Sequence, residues 1–267
     1  MDNCLVVPVD DSHRSLDALN AGQALAVQMG LNLHLVSVVP HEADVSGREQ
    51  AIHDALDEMR ADITVVANVS PADGLLAALQ SGKGNICCMA THARGAVSEM
   101  VLGSVARHIV QEYPGPVVLV GPRHAKKWAG PVKTVHVCVD GSSLSEQALA
   151  PAVQCAKLLN ATLQLVQVLD PETAKLAEGG DSGEWVYLRR LFDQLRKDKG
   201  VVAEWEVLHG TDSADAITSY VDGQPGSLIV MCSHGRSGLN RLVMGSVAQK
   251  VLHGSRSPVW IIRPRRA

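Results

Sequence analysis

A chain of 267 residues that is 46% hydrophobic but only 3% aromatic has material for one large core or two ordinary ones, filled by aliphatic side chains rather than rings. A formal net charge of −4 and a pI of 6.2 leave no basic footprint for nucleic acid. No run of about 18 apolar residues occurs, so a membrane span is not expected.

Residues 5–9 read as a short apolar strand that starts almost at once, so a strand and not a signal peptide is expected there. A helix is predicted over 15–29, a strand over 31–39, a helix over 47–60 and a strand over 63–67. A short helix from Pro71, a strand over 86–89, a helix from Ser104 and a strand over 116–120 follow. Residues 126–131 form a polar stretch with Gly130 and Pro131, which suits a linker. The series then repeats. Strands are predicted over 134–139, 162–169, 202–208, 228–231 and 258–262. Helices are predicted over 145–159 and 183–199, and from Ser213 and Ser246. Pro151 should kink the first of these helices. Alternating helices and near-continuous apolar strands imply parallel sheets covered on both faces. The six cysteines lie in or beside apolar runs or on a helix face, without a CxxC, which fits buried free thiols in a reducing cytoplasm.

The repetition is visible residue by residue. Val7-Pro8-Val9-Asp10 is answered by Val137-Cys138-Val139-Asp140, 130 positions on. Further along, the separation becomes 142, so the second half carries twelve extra residues between its second and fourth strands. Residues 174–182, with Gly179 and Gly180, are where most of that insertion is expected, as a mobile loop. The expected domains are residues 1–125 and 131–267.

The longest shared motif joins the fourth strand to the fourth helix. In the second half Met231-Cys232-Ser233-His234-Gly235 leads, over a nine-residue spacer, to Gly245-Ser246-Val247-Ala248. In the first half Met89-Ala90-Thr91-His92-Ala93 leads to Gly103-Ser104-Val105-Ala106. A strand running through a glycine-bearing loop into a helix N-terminus aims backbone N–H groups and the positive end of the helix dipole at one point, which suits a phosphate. Ser246-Val247-Ala248-Gln249 also fits a capping box with Ser246 as the N-cap.

These residues resemble the universal stress protein family, here as two tandem domains covering essentially the whole chain. The family's nucleotide-binding branch has a strand-ending Asp and a loop of the form Gly-x-x-Gly-x9-Gly-Ser/Thr. Asp140, Gly235, Gly245 and Ser246 match it, and Cys232 stands where the first glycine belongs. In the first half Asp10, Gly103 and Ser104 match, and Ala90 and Ala93 replace both early glycines. The resemblance implies an α/β fold of two doubly wound domains of the adenine nucleotide alpha hydrolase type. Each domain would hold a five-stranded parallel sheet flanked by about four helices. It implies ATP or another adenine nucleotide, with or without Mg, at the C-terminal edge of the strands, where open α/β sheets bind ligands in general. Asp140 would contact the ribose, and the backbone near Val168 would read the adenine edge. Gly235, Arg236, Gly245, Ser246 and Val247 would hold the phosphates, beside Cys232. Asp10, Val38, Gly103 and Ser104 are the first-half counterparts. The resemblance also implies pairing of the last strands, here between the two halves, with other surfaces left for a homodimer and a protein partner.

Glycine lets backbone N–H groups approach a phosphate and permits φ > 0, and Ala93 would lose part of both. Arg236 is matched by Arg94, but Arg241 is matched by Glu99, which would repel a triphosphate. The second half is therefore expected to bind nucleotide better than the first. His92 and His234 read as turn histidines, since no nucleophile with an orienting acid accompanies them. Cys232 and His234 are two ligands and do not make a metal site. There is no GxxxxGK[ST] loop, which excludes a P-loop NTPase. Three readings remain open: a cytoplasmic, nucleotide-binding stress-response regulator, a nucleotide-independent interaction module, and a slow ATPase.

Overall fold

The computed structural model describes residues 4–10, 13–56, 59–82, 85–91, 102–124, 128, 131–170, 184–197, 201–235 and 244–264. The expected insertion loop and the middle of both glycine loops, including His92, Ala93, Arg94, Glu99, Arg236 and Arg241, lie outside the described residues, as does Asp11. The chain divides into two compact units, Met1–Ala129 and Gly130–Ala267.

In the first unit β1 (Cys4–Pro8), α1 (His13–Met29), β2 (Asn32–Val39), a short 3-10 turn (Glu42–Asp44), α2 (Val45–Leu56), β3 (Asp62–Ala67), α3 (Pro71–Gln80), β4 (Ile86–Ala90), α4 (Ser104–Glu112) and β5 (Val117–Val120) follow one another. The strands are all parallel, and β1 lies between β2 and β4, with β3 beyond β2 and β5 beyond β4. β1 through β3 therefore wind to one side and β4 and β5 to the other. The switch falls between β1 and β4, where an open sheet splits to admit a ligand. Leu5, Val6, Val7, Cys87 and Cys88 are fully buried, as strands covered on both faces require.

The second unit repeats the plan with β6 (Thr134–Val139), α5 (Ser143–Glu146), α6 (Leu149–Leu159), β7 (Thr162–Leu169), α7 (Glu184–Leu195), β8 (Ala203–His209), α8 (Ser213–Asp222), β9 (Ser227–Cys232), α9 (Ser246–Gly254) and β10 (Val259–Ile262). β6 lies between β7 and β9, with β8 and β10 outermost, all parallel. The helices after the loops bury matching stripes: Ala106, Ile109 and Val110 on α4, and Ala248, Val251 and Leu252 on α9. That i, i+3, i+4 spacing is the apolar face of a helix. The chain leaves α1 through Gly30 at φ 66° and α6 through Asn160 at φ 49°. In both units the next N–H closes on the last turn, from Leu31 to Ala26 and from Ala161 to Ala156, each at 2.9 Å.

The second unit departs from expectation at Pro151. A single kinked helix was expected over 145–159, but the chain forms two helices. The break falls at Gln147 and Ala148, upstream of the proline. Pro151 becomes the third residue of α6, inside the first turn, where no N–H has an intrahelical partner. The missing donor then costs nothing, and the interruption leaves α5 as a separate one-turn helix. Among the described residues no helix is long and apolar enough to cross a membrane.

Candidate functional site

At the switch point of the second unit, β6 ends at Val139 and delivers Asp140, while β9 ends at Cys232. Asp140 is held by the start of α5. Its Oδ1 accepts from the hydroxyl of Ser142 at 2.6 Å and from the Ser142 backbone N–H at 3.0 Å. Ser142 in turn caps α5, accepting from the Ser145 N–H, and Ser145 Oγ accepts from the Asp140 N–H. The carboxylate's direction is thus set by two bonds from Ser142, which is itself fixed as the cap of α5.

Gly235 lies against that carboxylate. A Cβ built on Gly235 would run into Oδ2 of Asp140 and stand 3.0 Å from its Cγ. Neither Gly235 nor Gly245 has a positive φ, so left-handed backbone is not the reason for these glycines. The reason at Gly235 is close approach: only a residue without a side chain lets the loop backbone pass Asp140. This corrects half of the expectation: the glycine serves close approach and not a positive φ.

α9 starts differently from expectation. Ser246 was expected as its N-cap, but the cap residue is Gly245, at φ −66° and ψ 157°, with no side-chain cap bond. The Gly245 N–H instead donates to the Ser233 carbonyl at 2.7 Å. Gly103 caps α4 in the same way, with its N–H on the Thr91 carbonyl at 2.9 Å. Ser246 is therefore the first helical residue, and the N–H groups of the opening turn receive no oxygen from a capping side chain. Such a turn supplies donors and positive potential to whatever occupies the space in front of it.

That space is a cavity of about 310 Å³. Of the expected site residues, Asp140, Val168, Cys232, Gly235, Gly245, Ser246 and Val247 all line it, and Arg236 is outside the described residues. Cys232 does not plug it. Its Sγ donates to the Leu144 carbonyl of α5 at 3.0 Å, and burial pushes the thiol up to about 12. His234, expected as a turn histidine, is buried, with Nδ1 3.1 Å from Ser233 Oγ. Sequence reasoning missed the wall formed by α8, where Ser213 and Ile217 line the cavity. Asp212 caps α8 through the Ala214 and Asp215 N–H groups, and Lys250 of α9 donates to its other oxygen at 2.6 Å. That bond holds the Asp212 carboxyl below its usual range and ties together the two helices that flank the cavity. The repeat was the available signal for this wall, because Pro71 and Leu75, the first-unit counterparts of Ser213 and Ile217, line the corresponding cavity there.

The first unit's cavity measures about 540 Å³ and is lined by Asp10, Val38, Gly103 and Ser104, all four of the expected counterparts. Arg48, from α2, also lines it, and it was not singled out in the sequence.

Two doubly wound units, each with a strand-ending Asp and a glycine-capped helix at a cavity by the switch point, define a tandem α/β protein. The sequence model of the Universal stress protein family matches residues 3–121 and 131–263, and the chain belongs to that family. A universal stress protein of Methanocaldococcus jannaschii is 30% identical over 144 residues, covering 49% of this chain and 82% of that protein. One of Bacillus subtilis is 31% identical over 145 residues, covering 48% of this chain and 96% of that protein. A crystal structure of a universal stress protein from Archaeoglobus fulgidus has the same fold, with a TM-score of 0.66 at 18% identity over 98% of this chain and 99% of that one.

Proposed function

We propose that this protein is a stress-response regulator that holds ATP or a related adenine nucleotide in the cavity of its second unit. The observation that carries this reading is the convergence of Asp140, the side-chain-free Gly235 and the glycine-capped start of α9 on one cavity. In the proposed complex, Asp140 accepts from a ribose hydroxyl and the backbone at Val168 meets the adenine edge. The phosphates lie on the N–H groups of Ser246 and Val247, with the Ser246 hydroxyl as a further donor. Gly235, with no side chain, lies against Asp140 and leaves room beside it for the sugar. The residues fit the ligand, since the donors are backbone amides at a helix start and the walls, Val166, Val168 and Ile217, are apolar. Occupancy would bias a surface read by a protein partner.

The test is mass spectrometry of the purified, denatured protein for co-purified nucleotide, followed by calorimetric titration with ATP. Stoichiometric adenine nucleotide, with binding removed by Gly235→Val, is the expected result. A protein that carries none and gives no heat with ATP, ADP or AMP would leave the alternative, a nucleotide-independent interaction module. Phosphate release measured against the Gly235→Val variant separates binding from slow hydrolysis.

A further inference from the structure

We infer that Ser213, the first residue of α8, is a base-reading residue of the second unit's nucleotide site, its hydroxyl accepting a hydrogen bond from the exocyclic amine of adenine. This deepens the proposed function and rests on it. It adds a contact from a helix that carries none of the motif residues.

The inference starts from where α8 lies. The N–H of Gly210, just past β8, donates to the carbonyl of Leu169 at the end of β7 at 3.0 Å. Thr211 and Asp212 follow, and Ser213 begins the helix. The start of α8 is therefore moored beside the last residues of β7. Ser213, Ile217 and Tyr220 are spaced i, i+4, i+7 and form one stripe of α8. Gln164, Val166 and Val168 alternate along β7 and share one face of it. At the deep end the two rows are joined, since Gln164 Nε2 donates to the Tyr220 hydroxyl at 2.8 Å. In the middle Ile217 and Val166 line the cavity, and at the outer end Ser213 and Val168 do. The rows rise about 10 Å along the helix and about 13 Å along the strand, so they stay in step over this length. Ser213 thus belongs to the wall beside Val168, whose backbone is proposed to meet the adenine edge.

The hydroxyl is available for a ligand. Capping of α8 falls to Asp212, which accepts from the Ala214 and Asp215 N–H groups, so the helix makes no demand on Ser213 Oγ. Among the described residues that hydroxyl has no partner. A serine hydroxyl can accept as well as donate. The amine of adenine carries two N–H donors, and one bond to the backbone at Val168 leaves the second for Ser213. In the first unit Pro71 holds this place and has no hydroxyl. The mooring is the same there, from the Asn68 N–H to the Val39 carbonyl at 2.8 Å. What changes between the units at this place is therefore the side chain.

The test titrates ATP, and the triphosphate of purine riboside, which lacks the amine, into the full chain by calorimetry. The site followed is the one that Gly235→Val removes. Ser213→Ala should weaken ATP by about fivefold and change the purine riboside triphosphate by less than about twofold. Alanine is at least as good a helix former at this first position, so the thermal midpoint should stay within about 3 °C of the parent. Ser213→Pro installs the first unit's residue at a helix position that accepts proline, after Asp212 at φ −111° and ψ 108°, and should reproduce the alanine result. Unchanged ATP affinity in both variants overturns the inference and, with ATP still lost in Gly235→Val, leaves the proposed function standing. Equal weakening of both nucleotides also overturns it, because the hydroxyl would then act away from the amine. A parent chain that binds neither nucleotide sinks the proposed function and this inference with it.

Discussion

The two cradles share a frame and differ in what the frame presents. Both place an Asp just past the first strand, and both start the last helix at a glycine whose N–H bonds the carbonyl one residue past the strand preceding the loop, Ser233 and Thr91 holding equivalent places. Both line the third wall from the same positions of the third helix. The differences fall on residues that line the cavities: Pro8 against Cys138, Pro71 against Ser213, Ala90 against Cys232, and Arg48 with no counterpart among the described residues lining the second. A duplicated fold thus keeps the backbone that builds a pocket while the lining drifts. Ligand chemistry has to be read from the lining of each copy and not from the shared motif.

The largest contrast between the units concerns acid. His136, in the middle of β6, is fully buried, with Nε2 2.9 Å from Ser227 Oγ and its ring edge-on to Tyr220. Its counterpart in β1 is Val6, also fully buried and without a proton to take up. Burial lowers the His136 pKa from 6.5 to about 4. The unfolded chain therefore takes up the proton first as pH falls. The stabilisation is complete above pH 6.5 and is lost progressively toward pH 4, on the order of 3 kcal/mol in all. Thermal melts at neutral and acid pH should show the second unit losing stability preferentially. His136→Val should flatten its pH dependence, and an unchanged acid slope in that variant would refute the assignment.

Next in size is Gly235→Val. The added side chain meets the Asp140 carboxylate, so either Gly235 or Asp140 has to move. A loss of ATP affinity of about a hundredfold or more is expected by calorimetry, because two or more directional contacts are displaced together. Cys232→Ala, which gives the second unit the residue that the first carries at Ala90, should act on stability instead. It deletes the bond from Sγ to the Leu144 carbonyl and leaves a small void, for a cost of about 1–2 kcal/mol by denaturant titration. ATP affinity should change less than about threefold, since the thiol points at α5. A large affinity change with intact stability would mean that the sulfur faces the ligand.

The parts of this molecule that were legible in the sequence are those encoded locally or by repetition. Apolar runs alternating with helical patterns gave the strands of both units, and the constant separation of matching residues gave the duplication. Asp140, Gly235 and Gly245 stood out because motif and repeat coincide there. What could not be read depends on contacts between distant parts of the chain. Gly235 is glycine because Asp140 lies against it, which periodicity cannot reveal. The thiol of Cys232 turns away from the cavity because a carbonyl of α5 awaits it. α5 exists as a separate turn because Pro151 is accommodated by starting a new helix upstream of it. The wall from Ser213 and Ile217 was hidden because the third helix carries no motif of its own.

The smallest expected effect decides the role of Ser246. A serine at the N-cap contributes about 1 kcal/mol through its side-chain oxygen, and replacing it by alanine forfeits that. Here the cap is Gly245, and Ser246 is the first helical residue, where alanine is at least as good a helix former. Ser246→Ala should therefore leave stability within about 0.5 kcal/mol of the parent in chemical denaturation. The same variant should weaken ATP binding by roughly threefold to tenfold if the hydroxyl donates to a phosphate. Ser104→Ala, at the matching position of α4, should change neither stability nor ATP affinity, because the proposed nucleotide is in the other unit. A stability loss of about 1 kcal/mol in either variant would restore serine as the cap. Loss of ATP affinity in Ser104→Ala would place nucleotide in both cradles and erase the distinction between them.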